Sequence, residues 1–221
     1  MKEERLTKET SQLLQKLNGQ VMIVPTTTRS IEQYKRIDLG LGVPEYALAC
    51  NGGILLKDGE KDLQWYEESL KLIKDCEGVM AKARELLENE PNRYFEVRFI
   101  EDLFLFTKCT SPEDIIKKVS ESLNSDMVDV FNNGDKVYVV PRALSKGNAI
   151  NRLREKLQPS KVIAAGDSEF DISMVVAADV GYVPNGFKEK YDVKDESVIE
   201  AKENGLFSEE MLNMLIQEVS K

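Results

Sequence analysis

Residues 161–186 read KVIAAGDSEFDISMVVAADVGYVPNG, and their pattern predicts the carboxyl end of a strand in an open α/β sheet. The apolar run 162–165 ends at Gly166, and Asp167 and Asp171 follow. At i, i+4 spacing on a helix, the two carboxylates would face the same small volume. Two such acids repel each other unless a cation lies beside them, and their oxygen atoms suit Mg²⁺. Taken alone, the pair is explained as well by an N-cap aspartate followed by a solvent-facing acid.

The composition excludes several classes of function. The 221 residues carry a net charge of −9, which argues against a broad surface for nucleic acid or an anionic membrane. They contain no histidine, which removes Ser-His-Asp and Cys-His nucleophiles and histidine-rich zinc sites. No apolar stretch approaches the roughly 20 residues of a membrane span. Three cysteines without a Cys-x-x-Cys pair fit a reducing compartment, so we expect a cytoplasmic location.

The chain begins with helices and short strands that leave hydroxyl groups at a strand tip. A helix capped by Thr7 and ending near Gly19 precedes a predicted buried strand over 21–24. The sequence Thr-Thr-Thr-Arg follows at 26–29, and Ser30 opens the next helix. Hydroxyls at a strand tip before a helix N-terminus form an anion site, although the same threonines also serve as helix caps.

A turn rich in glycine separates the next two predicted strands. The first covers 46–50, Asn-Gly-Gly follows at 51–53, and the second strand continues to Lys57. Asn-Gly between apolar runs is ordinarily a hairpin turn.

The pattern changes at Asp62, where strict alternation of strands and helices stops. Adjacent strands mixed with helices indicate an α+β unit of its own. We therefore divide the chain into a core over 1–61 and 139–221 and an inserted domain over 62–138. Within the insert and at its end we predict helices over 67–90 and 111–123 and strands over 94–100, 103–107, 127–131 and 137–140.

A lysine opens the helix that returns the chain to the core. Lys146 lies in its first turn, where the helix dipole disfavours a cation. This conflict indicates a bound anion, although for any single lysine a solvated surface position is the more common explanation. The predicted last strand covers 180–183, and an amphipathic helix over 208–219 follows.

Three motifs in this order resemble those of the haloacid dehalogenase superfamily of phosphohydrolases. GDSEFDISM at 166–174 resembles the fourth motif, and Ser-Lys-Gly at 145–147 resembles the third. Thr27 with Arg29 matches the second motif best, with a neighbouring threonine as the alternative. The similarity implies an α/β fold with a Rossmannoid parallel sheet core and an α+β cap, in the Cof and sucrose-phosphate-phosphatase branch. A flavodoxin-like or dinucleotide-binding fold is disfavoured because no Gly-x-Gly-x-x-Gly follows a strand.

The resemblance implies a Mg²⁺-dependent phosphatase that acts on a sugar phosphate or similar small phosphorylated metabolite. Asp167 would bind Mg²⁺, and Asp171 would hold the metal or its waters. Lys146 would pair with the phosphoryl group, and Thr27 would donate a hydrogen bond to a phosphoryl oxygen. By the same resemblance, the candidate substrate-binding residues are Arg29, Asn51, Gly52 and Ser168.

The first motif of the superfamily is absent from this sequence. Members of the superfamily begin with a strand ending in Asp-x-Asp-Gly-Thr, whose first Asp attacks phosphorus, but no Asp-x-Asp occurs in the 221 residues. We therefore expect the chain alone to be inactive. By resemblance, the absent strand would lie between those ending at Thr27 and Asp167. Either those two strands pair directly, or another chain supplies the strand by self-association, or this version of the sequence has lost it, which we favour. The alternative function is that of an inactive homologue that binds a phosphorylated ligand or a partner protein.

Overall fold

The structure, a computed structural model, describes residues 6–202 and 205–219 and divides into two units. The first unit combines the residues up to Lys61 with those from Lys146 onward, and the second unit is Asp62–Ser145. The sheets include both parallel and antiparallel pairs, so the predicted mixed α/β class is confirmed. The sequence prediction ended the insert at 138, whereas strand Lys136–Pro141 pairs inside the second unit and its boundary lies after Ser145.

The first segment of the first unit holds two helices and an antiparallel sheet. Its elements are α1 (Lys8–Leu17), α2 (Ile31–Tyr34), β1 (Tyr46–Ala49), β2 (Ile54–Lys57) and β3 (Glu60–Lys61), with strand order β1-β2-β3. Helix α1 begins as predicted because the Thr7 side chain accepts a 3.0 Å hydrogen bond from the Thr10 amide. Ser30 caps α2 through a capping box with Gln33, but the helix is only one turn long.

The predicted strand over 21–24 is wrong. Within residues 6–202, this segment forms only an isolated bridge between Asn18 and Val21. The chain first pairs with β1 further on, where the Leu48 amide donates to the Pro25 carbonyl at 2.8 Å. Met22 is 52 % exposed, so the apolar run is not buried on both faces. Apolar composition alone does not make a strand, because a strand needs main-chain partners.

The second unit is an antiparallel sheet covered by helices. Its elements are α3 (Leu63–Leu72), α4 (Glu77–Glu88), β4 (Arg98–Ile100), β5 (Phe104–Lys108), α5 (Pro112–Ser122), β6 (Val128–Asn133) and β7 (Lys136–Pro141). The strand order is β4-β5-β7-β6, and α4 and α5 pack against the sheet. The core between these helices and the sheet includes Met80, Ala83, Leu87, Leu105, Ile115, Val119, Val137 and Val139.

The single helix predicted over 67–90 is two helices. Asp62 caps α3, accepting a 3.0 Å hydrogen bond from the Trp65 amide, so this helix begins earlier than predicted. It ends at Leu72, because the next residue, Ile73, has left the helical range with φ of −104° and ψ of 4°. A 3₁₀ turn at Lys74–Cys76 then leads into α4 and buries the Cys76 side chain in the core. The charged sequence pattern did not indicate this break, which coincides with the burial of Cys76.

The chain from Lys146 onward completes the first unit around a parallel sheet. Its elements are α6 (Lys146–Leu157), β8 (Ile163–Ala165), α7 (Ile172–Ala177), β9 (Val180–Val183), α8 (Phe187–Tyr191), β10 (Val198–Glu200) and α9 (Phe207–Val219). The order is β10-β9-β8, and β10, a three-residue strand at one edge of the sheet, was not predicted from the sequence. The core of this sheet includes Ala164, Met174, Val175, Val183, Phe187 and Val198.

Helix α9 packs against α1, which joins the two segments of the first unit. Leu13 and Leu17 of α1 are buried with Leu212 of α9. None of the helices in the described ranges combines the length and apolar character that crossing a membrane requires.

Candidate active site

The site is built on the turn that follows β8. Asp167 is exposed, whereas Asp171 is 5 % exposed and lies at the end of a 3₁₀ turn, Glu169–Asp171. The Asp171 Oδ2 atom accepts hydrogen bonds from the Ser168 hydroxyl at 2.7 Å, the Ser168 amide at 3.0 Å and the Asp167 amide at 3.1 Å. Asp171 therefore holds the backbone of the turn that presents Asp167. The α-helical i, i+4 geometry expected for the two acids is wrong, because α7 begins only at Ile172.

Lys146 binds the other oxygen of Asp171. Its Nζ lies 2.5 Å from Oδ1 of Asp171, and both side chains are almost fully buried. Burial raises the pKa of the Asp171 carboxyl, but the Lys146 ammonium and the Ser168 donors outweigh burial and hold that pKa below its ordinary value. Lys146 is therefore one half of a buried ion pair, and the solvated-lysine interpretation is wrong.

Two glycines permit these contacts, and sequence analysis did not assign them a role. A Cβ atom on Gly166 would lie 2.2 Å from the Asp171 Cβ, and one on Gly147 would lie 2.3 Å from the Ser173 carbonyl oxygen. Neither distance is possible for a real side chain, so both positions require glycine. Ser173 was not predicted as a site residue either, and its Oγ accepts a 3.1 Å hydrogen bond from the Gly147 amide. The available signal was a glycine directly beside Lys146 and another directly beside Asp167.

A second hydrogen-bonded cluster lies at the end of β1. The Thr27 carbonyl accepts from the Asn51 amide at 2.9 Å, and the Arg29 carbonyl accepts from the Cys50 amide at 2.9 Å. The Thr27 hydroxyl oxygen also accepts from the Arg29 amide at 3.2 Å. Asn51 is buried with φ of 57°, and Gly52 follows with φ of 86°, so the two residues form the sharp turn predicted from Asn-Gly.

Helix α6 packs against both clusters. It contacts the 3₁₀ turn Cys50–Gly52, which belongs to the second cluster. It also contacts the 3₁₀ turn Glu169–Asp171, which belongs to the first. The structure thus joins Lys146, Asp167 and Asp171 directly by hydrogen bonds, together with Ser168. It joins Thr27, Arg29 and Asn51 in the other cluster, together with Gly52. The roles predicted for all eight residues stay predictions.

The Asp167 carboxylate fits a Mg²⁺ ligand by its chemistry and exposure. Within residues 6–202 and 205–219, no hydrogen bond or ion pair involves this carboxylate. Mg²⁺ favours carboxylate oxygen atoms as ligands. Asp171 differs, since both of its oxygens already accept from protein donors. A direct bond from Asp171 to a metal would displace one of them, whereas contact through a bound water would not. Across the described ranges, no group of three or more acids, cysteines or histidines converges as a ready-made metal site.

Comparison with known proteins places the chain among phosphatases. The family profile described as sucrose-6F-phosphate phosphohydrolase matches residues 1–207. A phosphoglycolate phosphatase of Methanopyrus kandleri is 27 % identical over 184 residues, which cover 81 % of this chain and 75 % of that protein.

Solved structures share the fold. The sucrose-phosphatase of Synechocystis sp. PCC6803, solved in complex with sucrose and phosphate, superimposes with a TM-score of 0.73 at 18 % identity, covering 96 % of this chain and 92 % of that one. A haloacid dehalogenase-like hydrolase of B. subtilis gives a TM-score of 0.63 at 15 % identity, with 97 % and 94 % covered. The profile match, together with the motifs at Thr27, Lys146 and Asp167, shows that the chain belongs to the sucrose-6F-phosphate phosphohydrolase family of the haloacid dehalogenase superfamily.

Proposed function

We propose that the complete active site hydrolyses a phosphomonoester of a sugar or a similar small metabolite, with Mg²⁺ and through an aspartyl phosphate. The observation that carries the proposal is the buried Lys146–Asp171 pair, which lies next to the exposed Asp167 at the end of β8. Open α/β sheets bind ligands at this edge. Family membership supports phosphatase chemistry, and sucrose-6F-phosphate and phosphoglycolate are the substrates that the names of the relatives suggest.

Each polar group has a role in this proposal. The Lys146 ammonium would neutralise charge on the phosphoryl oxygens, which stabilises the transition state electrostatically. The Thr27 hydroxyl oxygen accepts from the Arg29 amide, so its hydrogen is available for a phosphoryl oxygen. Asp167 would hold Mg²⁺, with Asp171 in contact through water, and the metal would supply positive charge beside those same oxygens. Arg29, together with Asn51, Gly52 and Ser168, would border the substrate.

The test is to compare the 221-residue chain with a version extended by a strand that ends in Asp-x-Asp-Gly-Thr. Release of inorganic phosphate from sucrose-6F-phosphate and from phosphoglycolate is measured with Mg²⁺ present. We expect the unextended chain to be inactive, because no Asp-x-Asp occurs in it, and the extended chain to turn over. A control that replaces the first Asp of the added motif by Asn should be inactive. Turnover by the unextended chain that is lost in Asp167→Asn would mean that the nucleophile is a different residue.

A second candidate is a protein that binds a phosphorylated ligand or a partner protein without turnover. It is favoured by the lack of Asp-x-Asp in the sequence and of an acidic metal cluster in the described ranges. Binding of phosphate by an extended chain that remains inactive on both esters would support this candidate over the enzyme.

The proposal extends to partners and location. Self-association would result if another chain supplied the absent strand, and sedimentation velocity over a hundredfold range of concentration tests it. We propose a cytoplasmic location, which is supported by three buried cysteines that form no disulfide in the described residues. Fractionation of cells that express the chain tests the location.

A further inference from the structure

Two contacts between neighbouring residues join the first turn of α6 to the start of α7 and to the residue that precedes it. In one, Lys146 Nζ binds Asp171 Oδ1 at 2.5 Å. In the other, the amide of Gly147 donates to Ser173 Oγ at 3.1 Å. Lys146 and Gly147 are adjacent on α6, and their partners Asp171 and Ser173 are two residues apart. The start of α6 is therefore held at two points, one through a side chain and one through the backbone.

The backbone contact allows little freedom of movement. Gly147 lies so close to Ser173 that a Cβ on the glycine would be 2.3 Å from the serine carbonyl oxygen and 2.7 Å from its carbonyl carbon. Its amide is one of the first four of α6, which have no partner inside the helix. Ser173 thus caps α6 from a different helix, a task normally performed by the residue that precedes the helix.

We propose that Ser173 is a positioning residue for Lys146. Its hydroxyl fixes the backbone of Gly147, and this determines where the ammonium of the preceding residue lies relative to Asp171 and to a bound anion. The inference rests on the proposed function in one respect, namely that the anion bound by Lys146 is phosphate. Within residues 6–202 and 205–219, Ser173 forms no hydrogen bond with the side chain of Lys146 or of Asp171, so its effect on them passes through the backbone.

The experiment uses the full 221-residue chain and two measurements. The first is the affinity for inorganic phosphate, followed by ³¹P NMR titration. The second is the rate at which acetic anhydride labels Lys146, relative to Lys194, whose side chain is 82 % exposed, as measured by mass spectrometry. Loss of one hydrogen bond should weaken phosphate binding and raise Lys146 labelling about fivefold in Ser173→Ala.

Three further variants separate positioning from general stability. Ser173→Thr keeps the hydroxyl and should behave as the wild type in both measurements. Ser173→Cys keeps the volume with a weaker acceptor, should give intermediate values, and replaces the alanine variant if that variant does not fold. Ser69→Ala is the matched control, because Ser69 is a fully buried serine of the second unit whose hydroxyl donates to the Trp65 carbonyl at 3.0 Å. It should lower the melting temperature and change neither measurement.

The outcomes distinguish this inference from the proposed function. If Ser173→Ala and Ser173→Cys leave Lys146 labelling at the wild-type rate, Ser173 does not position Lys146 and the inference is overturned. If the wild-type chain does not bind phosphate but labelling rises as expected, the inference stands and the proposed phosphate site fails. If Ser69→Ala raises Lys146 labelling equally, the effect is general loosening and the inference is also overturned.

Discussion

Replacing Lys146 by Met tests the buried ion pair most directly. Met is also unbranched and of similar length, but it leaves Asp171 with a buried charge and no cation. Breaking a buried pair by removing one partner costs about 3–5 kcal/mol. Three donors to Oδ2 of Asp171 remain in this variant. We therefore expect Lys146→Met to lower the free energy of unfolding by about 3 kcal/mol, near the lower end of that range. This lowers the melting temperature by about 6–12 °C in a chain of this size.

The loss should depend on pH, with a sign that follows from Asp171. In the wild type, the pKa of this carboxyl is lowered, so the carboxylate stabilises the fold above the ordinary Asp pKa and loses this effect as pH falls through the lowered value. In Lys146→Met, burial dominates and raises the pKa. The charged carboxylate then destabilises the fold at neutral pH, and protonation relieves this as pH falls through the raised pKa. The difference between wild type and variant should therefore shrink as pH falls from neutral, first through the raised pKa of the variant and then through the lowered pKa of the wild type.

Differential scanning calorimetry and far-UV circular dichroism at several pH values are the assays. Tryptophan fluorescence is unsuitable, because the single tryptophan, Trp65, lies in the second unit. Lys57→Met is the control, since Lys57 is exposed on β2 of the first unit. Adding Asp171→Asn to Lys146→Met should recover much of the loss, because it removes the uncompensated buried charge while the amide oxygen can still accept hydrogen bonds from the turn. Equal melting temperatures for Lys146→Met and Lys57→Met, or a difference independent of pH, would refute the reasoning.

Three other substitutions test separate parts of the structure. Gly166→Ala would place a Cβ 2.2 Å from that of Asp171, so it should cost about 1–3 kcal/mol of stability. It should also reduce phosphate affinity at least about tenfold in a ³¹P NMR titration, and wild-type affinity would contradict the close approach. Ser168→Ala removes the 2.7 Å hydroxyl contact and should cost about 1 kcal/mol by urea unfolding followed by circular dichroism, and an unchanged midpoint would argue against that hydrogen bond. Leu87→Ala in the core of the second unit should cost about 2–5 kcal/mol, visible in Trp65 fluorescence during urea unfolding, and should leave phosphate affinity unchanged.

Features of the fold and of the site that depend on local sequence could be predicted. Thr7 and Ser30 are helix caps because a hydroxyl three residues before a free amide can satisfy it regardless of the rest of the fold. The Asn51-Gly52 turn follows in the same way from the backbone angles that these residues tolerate. The strand that ends before Gly166 and the helix after Asp171 were also predictable from an apolar run and its termination.

Features that depend on contacts between distant segments could not be predicted. The segment 21–24 has the composition of a strand, but whether it pairs is decided by what lies beside it. The break after Leu72 coincides with the burial of Cys76 in the core of the second unit, which its own sequence segment does not show. The spacing of the acids predicted a metal as the partner of Asp171. That spacing does not show that a lysine 25 residues earlier reaches the same carboxylate.

The interrupted course of the first unit has a consequence for how the chain acquires its fold. The second unit is one continuous segment, so all of its strand pairs can form as soon as residues 62–145 have left the ribosome. Contacts between α1 and α9 close a loop of nearly the whole chain, and contacts of such separation are slow to form. The first segment must therefore wait, with Leu13 and Leu17 uncovered, until α9 has been synthesised. During this interval the uncovered apolar face of α1 is exposed to aggregation and to chaperone binding.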